Sequence, residues 1–197
     1  MGHSAGGHLA LLYAYMSAEG ATVIDPDDET KNIEFHDVQL VISEAGPIEF
    51  TASTFANIDN DRKAEIYAMA GISSTESDLP TKLDAVSPSK HVTSSSPYTI
   101  LAYGKVVNDK DEIIDSDGVV PYSQAESLKN TLYENSINYT LFELIGVGHN
   151  DFGEESNGNI KIVHPDNTNQ VSQFYFFNGD DATQNKGLED LILEKLN

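Results

Sequence analysis

Gly2-His3-Ser4-Ala5-Gly6 stands directly ahead of a Leu-, Ala- and Tyr-rich run that continues to Tyr15. This G-x-S-x-G pattern constrains the fold more than any other stretch. A serine between glycines at a helix start implies a strand that turns sharply into the helix and holds the serine in a strained conformation, a nucleophile elbow. Gly2 and Gly6 are expected at the two flanks because a Cβ there would collide with the neighbouring strand and helix, while Ala5 and Gly7 keep the turn slim. Leu9, Leu12, Tyr13 and Met16 recur at i, i+3, i+4 and i+7, which predicts one apolar helix face. Ser4 then lies at a helix N-terminus, where backbone N–H groups and the macrodipole favour developing negative charge. A glycine-rich helix start without chemistry has the same letters, so the rest of the chain must decide.

Composition narrows the classes. A chain of 197 residues, 39% of them hydrophobic, suits one domain with a sizeable core. With 32 acidic against 11 basic residues the net charge is −21, which argues against nucleic acid and anionic membrane surfaces as partners. It identifies no substrate, and a solvated acidic coat accounts for it. The absence of cysteine excludes disulfides, thiolate metal sites and a cysteine nucleophile. No run is long enough for a membrane span, and the N-terminus lacks the basic-then-apolar order of a signal peptide. The expectation is a soluble protein, cytoplasmic by default.

Strand and helix signals alternate along the chain. A polar, acidic loop around Asp25 to Glu29 precedes the apolar run Val38 to Ile42, which reads as a buried strand. Residues 47–92 mix short helical patches, such as Arg62 to Met69, with Ser, Thr, Asp and Pro, and read as a cap-like insertion. Tyr98 to Tyr103 reads as a second strand that ends at Gly104 before a polar loop to Val120. Pro121 opens a helix with Ala125, Leu128 and Leu132 on one face. Tyr139 to Leu144 is a third strand leading into Gly146-Val147-Gly148-His149, and Leu188, Leu191, Ile192 and Leu196 mark a terminal helix. This alternation implies an α/β fold with a parallel sheet and flanking helices.

Chemistry in such sheets gathers at the carboxyl ends of the strands. Ser4, the acidic loop after Gly104 and His149 all fall there, in the order Ser, acid, His. In a triad of that order the histidine takes the serine proton and returns it to the leaving group, while the carboxylate fixes the tautomer and stabilises the imidazolium.

The segments "GHSAGGHLA", "EAGPIEFT" and "DGVVPYSQAESLKNTLYENSINYTLFELIGVGHNDFG" resemble the later two-thirds of an α/β-hydrolase of the esterase/lipase type, the group that includes carbohydrate and feruloyl esterases and kynurenine formamidase-like enzymes. The resemblance runs from Gly2 to about Gly153. It implies the C-terminal part of an α/β-hydrolase fold and a Ser-His-Asp triad. The acid four residues before the proline of Asp-x-Val-Val-Pro selects Asp117, and the Gly-x-Gly-His turn selects His149. Asp109, Asp111, Glu112 and Asp115 are rivals, because "KVVNDKDEIIDSD" lengthens the loop beyond the family's habit. The family also has a region before the elbow, with its first five strands and a glycine-rich loop that donates a second oxyanion N–H. Met1 stands where the strand before the elbow ends. The resemblance therefore implies an N-terminally truncated domain in which Ala5 N–H is the remaining oxyanion donor, and a sheet edge that invites pairing with a second copy of the chain.

Other candidates carry less. His3 could line the site or the substrate, although a histidine at a helix start is commonly a packing or surface residue, as is His8. His36, His91 and His164 show no ligand spacing, and the acidic clusters at Asp25–Asp28, Asp59–Asp61 and Asp109–Asp117 do not fit a calcium loop. Asn138-Tyr139-Thr140 matches a glycosylation pattern but falls in an expected strand. Two function classes result. One is a serine hydrolase that cleaves small carboxylic esters through an acyl-enzyme, with no metal or organic cofactor. The other is a weak or inactive hydrolase-derived fragment acting in binding or assembly.

Overall fold

A computed structural model of the chain describes residues 1–25, 27–51, 60–69, 71, 79–107, 113–116, 118–145, 147–149, 159–163 and 175–176. Its centre is a mostly parallel sheet. Strand β1 (Gly2–His3) leads into helix α1 (Ala5–Glu19), a small hairpin follows as β2 (Val23–Asp25) and β3 (Asp28–Ile33), and β4 (Leu40–Glu44) returns to the sheet. Helices α2 (Asn60–Met69) and α3 (Leu79–Ala85) and a short 3₁₀ turn (Pro88–His91) separate β4 from β5 (Tyr98–Val107). Then come β6 (Ile113–Ser116), α4 (Tyr122–Glu134), β7 (Tyr139–Ile145), β8 (Asn159–Val163) and β9 (Tyr175–Phe176).

The strand order is β1-β4-β5-β7-β8-β9, with β6 paired to the end of β5. β1, β4, β5 and β7 run parallel, whereas β8, β9 and β6 are antiparallel to their neighbours. Alternation along the strands sends side chains to two cores. Val41, Leu101, Tyr103 and Leu141 face α1 and α4, where they meet Leu11, Tyr15, Leu128 and Leu132. Ile42, Ile100, Ala102, Phe142 and Leu144 form the core on the opposite face. The three apolar runs expected as strands are β4, β5 and β7, and the face Ala125, Leu128 and Leu132 of α4 is fully buried.

Four local expectations are revised. Helix α1 buries Gly7, His8, Leu11, Ala14 and Tyr15, while Leu9 is 56% exposed and Tyr13 37% exposed. Apolar residues surround this helix, so periodicity alone does not choose a face. The close approach of β4 does, because a Cβ on Gly7 would lie 2.7 Å from Ser43 Oγ and 2.9 Å from the Gly2 oxygen. The turn also needs Gly7 rather than Gly6: a Cβ on Gly6 meets nothing within 4 Å, whereas one on Gly2 would lie 2.3 Å from Gly6 carbonyl atoms.

The acidic loop at Asp25 to Glu29 is the tip of the β2–β3 hairpin, where Asp25 Oδ1 accepts from Asp27 N–H and Asp28 Oδ1 from the Thr30 N–H and hydroxyl. And β5 does not stop at Gly104: it continues to Val107 and pairs with β6, since β-branched residues at 106–107 and 113–114 favour a pleated hairpin despite the polar residues between them. Beyond β7, Asn159–Val163 and Tyr175–Phe176 add β8 and β9, while the expected terminal helix at 188–196 lies outside the described residues.

Within 47–92, Phe50 and Leu83 are buried with Ile66, Tyr67, Leu79 and Val86 packed against them, a small core of its own. Phe55 and Asp59 lie outside the described residues.

Candidate active site

Ser4 sits between β1 and α1 with φ 52° and ψ −123°, a left-handed φ that costs a non-glycine residue about 1–3 kcal/mol. Two main-chain bonds hold it there: Ser4 N–H donates to the Glu44 oxygen at 2.8 Å, and His8 N–H donates to the Ser4 oxygen at 3.0 Å. The first ties the serine to the carboxyl end of β4, and the second begins the helix.

Serine at a helix N-cap ordinarily turns its hydroxyl back on the N–H groups of the first turn. Ser4 makes no such capping bond. Its Oγ instead lies 2.9 Å from His149 Nε2, across 145 residues of sequence. With the imidazole neutral, Nε2 accepts from the hydroxyl, which is the contact a general base needs to draw off the serine proton. His149 is buried, and it follows the carboxyl end of β7 through Val147, whose N–H donates to the Leu144 oxygen.

His3 packs its ring 5.0 Å from that of His149, and its Nε2–H donates to the His149 main-chain oxygen at 2.9 Å. It therefore lies beside His149 and holds the turn that carries that histidine. Ala5, the residue after the serine, is exposed at the first position of α1, where helix N–H groups lack intrahelical partners. Asp117 lies outside the described residues, as do Asp109, Asp111, Glu112 and Gly146. Among the described residues no group of three or more His, Asp or Glu side chains is placed to hold a metal ion, and no helix is long and apolar enough to cross a membrane.

The segment that follows β4, whose last residue Glu44 accepts from Ser4 N–H, is fastened by side chains of α1, β5 and α4 and by Ser87. Tyr103 hydroxyl donates to the Gly46 oxygen, His8 Nδ1–H to the Pro47 oxygen at 2.9 Å, and Gln124 Oε1 accepts from Ile48 N–H at 2.7 Å and Glu49 N–H at 3.1 Å. Ser87 Oγ accepts from Phe50 N–H. Burial lowers the pKa of His8 below 6.5, against the opposing effect of its bond to Pro47. His8 thus stays neutral as a strut. His91 is structural as well, bonded to Glu19 Oε1 and the Ala85 oxygen.

Sequence reasoning missed a buried polar group on β7, the strand that leads to His149. Glu143 on β7 accepts a hydrogen bond from the Tyr122 hydroxyl and pairs with Lys105 Nζ at 3.2 Å. Its signal was a lone acid inside the apolar run Thr140-Leu141-Phe142-Glu143-Leu144-Ile145.

The BD-FAE family model matches residues 1–132, more than half of the chain and including Ser4. The chain belongs to the BD-FAE family. BD-FAE is an α/β-hydrolase-type esterase domain, in keeping with the mostly parallel sheet and its flanking helices. Solved structures share this BD-FAE fold. A truncated form of a carbohydrate esterase from gut microbiota is 22% identical with TM-score 0.55, the match covering 75% of this chain and 50% of that one. A bifunctional GH43-CE protein of Bacteroides eggerthii is 21% identical with TM-score 0.52, covering 78% of this chain and 21% of that one. This chain thus spans half the length of the first of these structures or less. No curated protein matches it.

Proposed function

We propose that the protein is a serine hydrolase of carboxylic esters, with Ser4 as nucleophile, His149 as general base and Asp117 as the acid that orients the imidazole. The observation that carries this reading is the 2.9 Å contact between Ser4 Oγ and His149 Nε2, made by a serine in a strained turn that has given up its capping bond. Membership of an esterase-type family supports it.

In the proposed reaction Ser4 attacks the ester carbonyl while His149 takes its proton. The oxyanion forms beside the Ala5 N–H, and the protonated His149 gives its proton to the departing alcohol. Water then cleaves the acyl-serine with the same histidine as base. We take the substrate to be a small carboxylic ester, and the likeness to a carbohydrate esterase supports a polar alcohol as its leaving group. A panel of p-nitrophenyl esters tests this: acetate and butyrate should be cleaved in preference to long acyl chains, and a preference for long chains would overturn the short-ester reading.

A second reading, a binding or assembly role without turnover, is favoured by one observation. Among the described residues β1 is the last strand of the sheet order and pairs with β4 on one side. Such an edge accepts a strand from a second copy. Mass in solution tests it: a dimer supports this pairing, and a monomer across micromolar concentrations removes it.

A further inference from the structure

Glu143, Tyr122 and Lys105 lie among apolar side chains, yet they are a charged pair and a phenol. The Tyr122 hydroxyl donates to one carboxylate oxygen of Glu143, Lys105 Nζ lies 3.2 Å from the other, and the same ammonium sits 4.8 Å over the centroid of the Tyr122 ring. The Lys105 and Glu143 side chains are only 14% and 7% exposed. Burying such a pair is costly, and apolar replacements of similar size are often as stable or more so. Stability is thus a poor account of the cluster, and its position in the fold is more informative.

Each member stands on a different segment leading to the proposed acid or base. Lys105 is in register with Ser116 on β6 and with Ile145 on β7. Asp117 follows Ser116 directly, and His149 follows Ile145 by four positions. Tyr122 opens α4 five residues after Asp117, and Glu143 lies on β7 six residues before His149. The three segments that deliver the acid and the base therefore meet in one hydrogen-bonded group. The Tyr122 hydroxyl keeps its proton as a donor, since burial and then the neighbouring Glu143 charge push its pKa up.

We infer that Lys105, Tyr122 and Glu143 are positioning residues which hold the end of β6 and the start of α4, the described residues on either side of Asp117, at a fixed offset from the end of β7 that leads to His149. The catalytic part of this inference rests on the proposed triad. None of the three touches the Ser4 hydroxyl. They act through the backbone: an anchor joining β5, the start of α4 and β7 fixes the described ends from which the proposed acid and base are reached, where a displacement of about 1 Å can cost up to about a hundredfold in rate.

Glu143→Gln tests this, because the amide oxygen still accepts from Tyr122 while Lys105 loses its anionic partner. Two readouts are needed. The ¹H–¹⁵N signals of the His149 imidazole report its placement without any turnover, with His8 as an internal reference. Labelling of Ser4 by a fluorophosphonate reports reactivity. In Glu143→Gln the His149 signals should shift while those of His8 hold, and labelling should slow by about tenfold. The Lys105→Met/Glu143→Gln pair should regain Tm without regaining labelling rate. Tyr122→Phe, which removes one hydroxyl, is the milder variant should the others fold poorly, and it should shift the His149 signals in the same way. Unmoved His149 signals in a folded Glu143→Gln or Tyr122→Phe protein would overturn the inference, as would labelling that recovers together with Tm in the double variant. Shifted His149 signals in a protein whose wild type never labels would support the cluster while counting against the hydrolase reading.

Discussion

His3 Nε2–H donates to the main-chain oxygen of His149 at 2.9 Å, so the residue before the proposed nucleophile also anchors the turn that presents the proposed base. Two bonds therefore cross between the elbow and the His149 turn, one through Ser4 Oγ and one through His3. Replacing His3 by Phe keeps the ring and removes the donor. Ser4 labelling should slow by about fivefold to tenfold, the equivalent of one hydrogen bond of about 1 kcal/mol, with Tm lowered by about 2–4 °C at most. His3→Gln, which retains a donor, should recover most of the rate. Equal rates for wild type and His3→Phe would remove the anchoring role.

Neighbouring glycines should respond in opposite directions. A Cβ at Gly7 would press on Ser43 Oγ at 2.7 Å and on the Gly2 oxygen at 2.9 Å, both parts of the tightly packed junction of α1 with β1 and β4. Gly7→Ala should cost about 1–3 kcal/mol by overpacking. At Gly6 the Cβ meets open space inside a helix, so Gly6→Ala should be neutral or stabilising by up to about 1 kcal/mol. Urea midpoints of the two variants check both values, and a Gly6→Ala loss as large as that of Gly7→Ala would contradict the geometry.

Acid sensitivity should trace in part to His8. Burial holds its folded pKa below the ordinary 6.5. Between those two values the unfolded chain binds the proton more readily, so stability falls as pH is lowered below about 6.5 and levels off only below the folded pKa. His8→Gln should flatten the dependence of the urea midpoint on pH between about 7.5 and 5. An undiminished slope would assign the sensitivity to other groups.

Leu11 and Leu9 separate the two possible faces of α1. Leu11 is fully buried against the sheet and Leu9 is largely exposed. Leu11→Ala should lower stability by about 2–5 kcal/mol, whereas Leu9→Ala should stay within about 0.5 kcal/mol of wild type. The reverse result in denaturant melts would restore the face that periodicity suggested.

That contrast shows what was legible before the structure. The strands β4, β5 and β7 and the apolar face of α4 could be read because long β-branched or periodic runs leave few alternatives. α1 could not be oriented in this way, since Leu and Tyr lie all around it and the choice rests on the close contact of Gly7 with Ser43 and Gly46, residues distant in sequence. Ser4 was legible as a serine between a strand and a helix and His149 as a histidine after a strand, and their side chains lie 2.9 Å apart. Glu143 was overlooked because an acid in a buried strand has meaning only once Lys105 and Tyr122 are known to surround it. The His3 bond to a main-chain oxygen leaves no trace in residue type.

The central claim is that Ser4 is a nucleophile activated by His149, and intact mass after exposure to a fluorophosphonate tests it most directly. The account predicts a single covalent adduct that peptide mapping places on Ser4, absent in Ser4→Ala and slowed on the order of 10³-fold in His149→Ala. A folded wild-type chain that takes up no adduct, or takes it up at the same rate without His149, would contradict it.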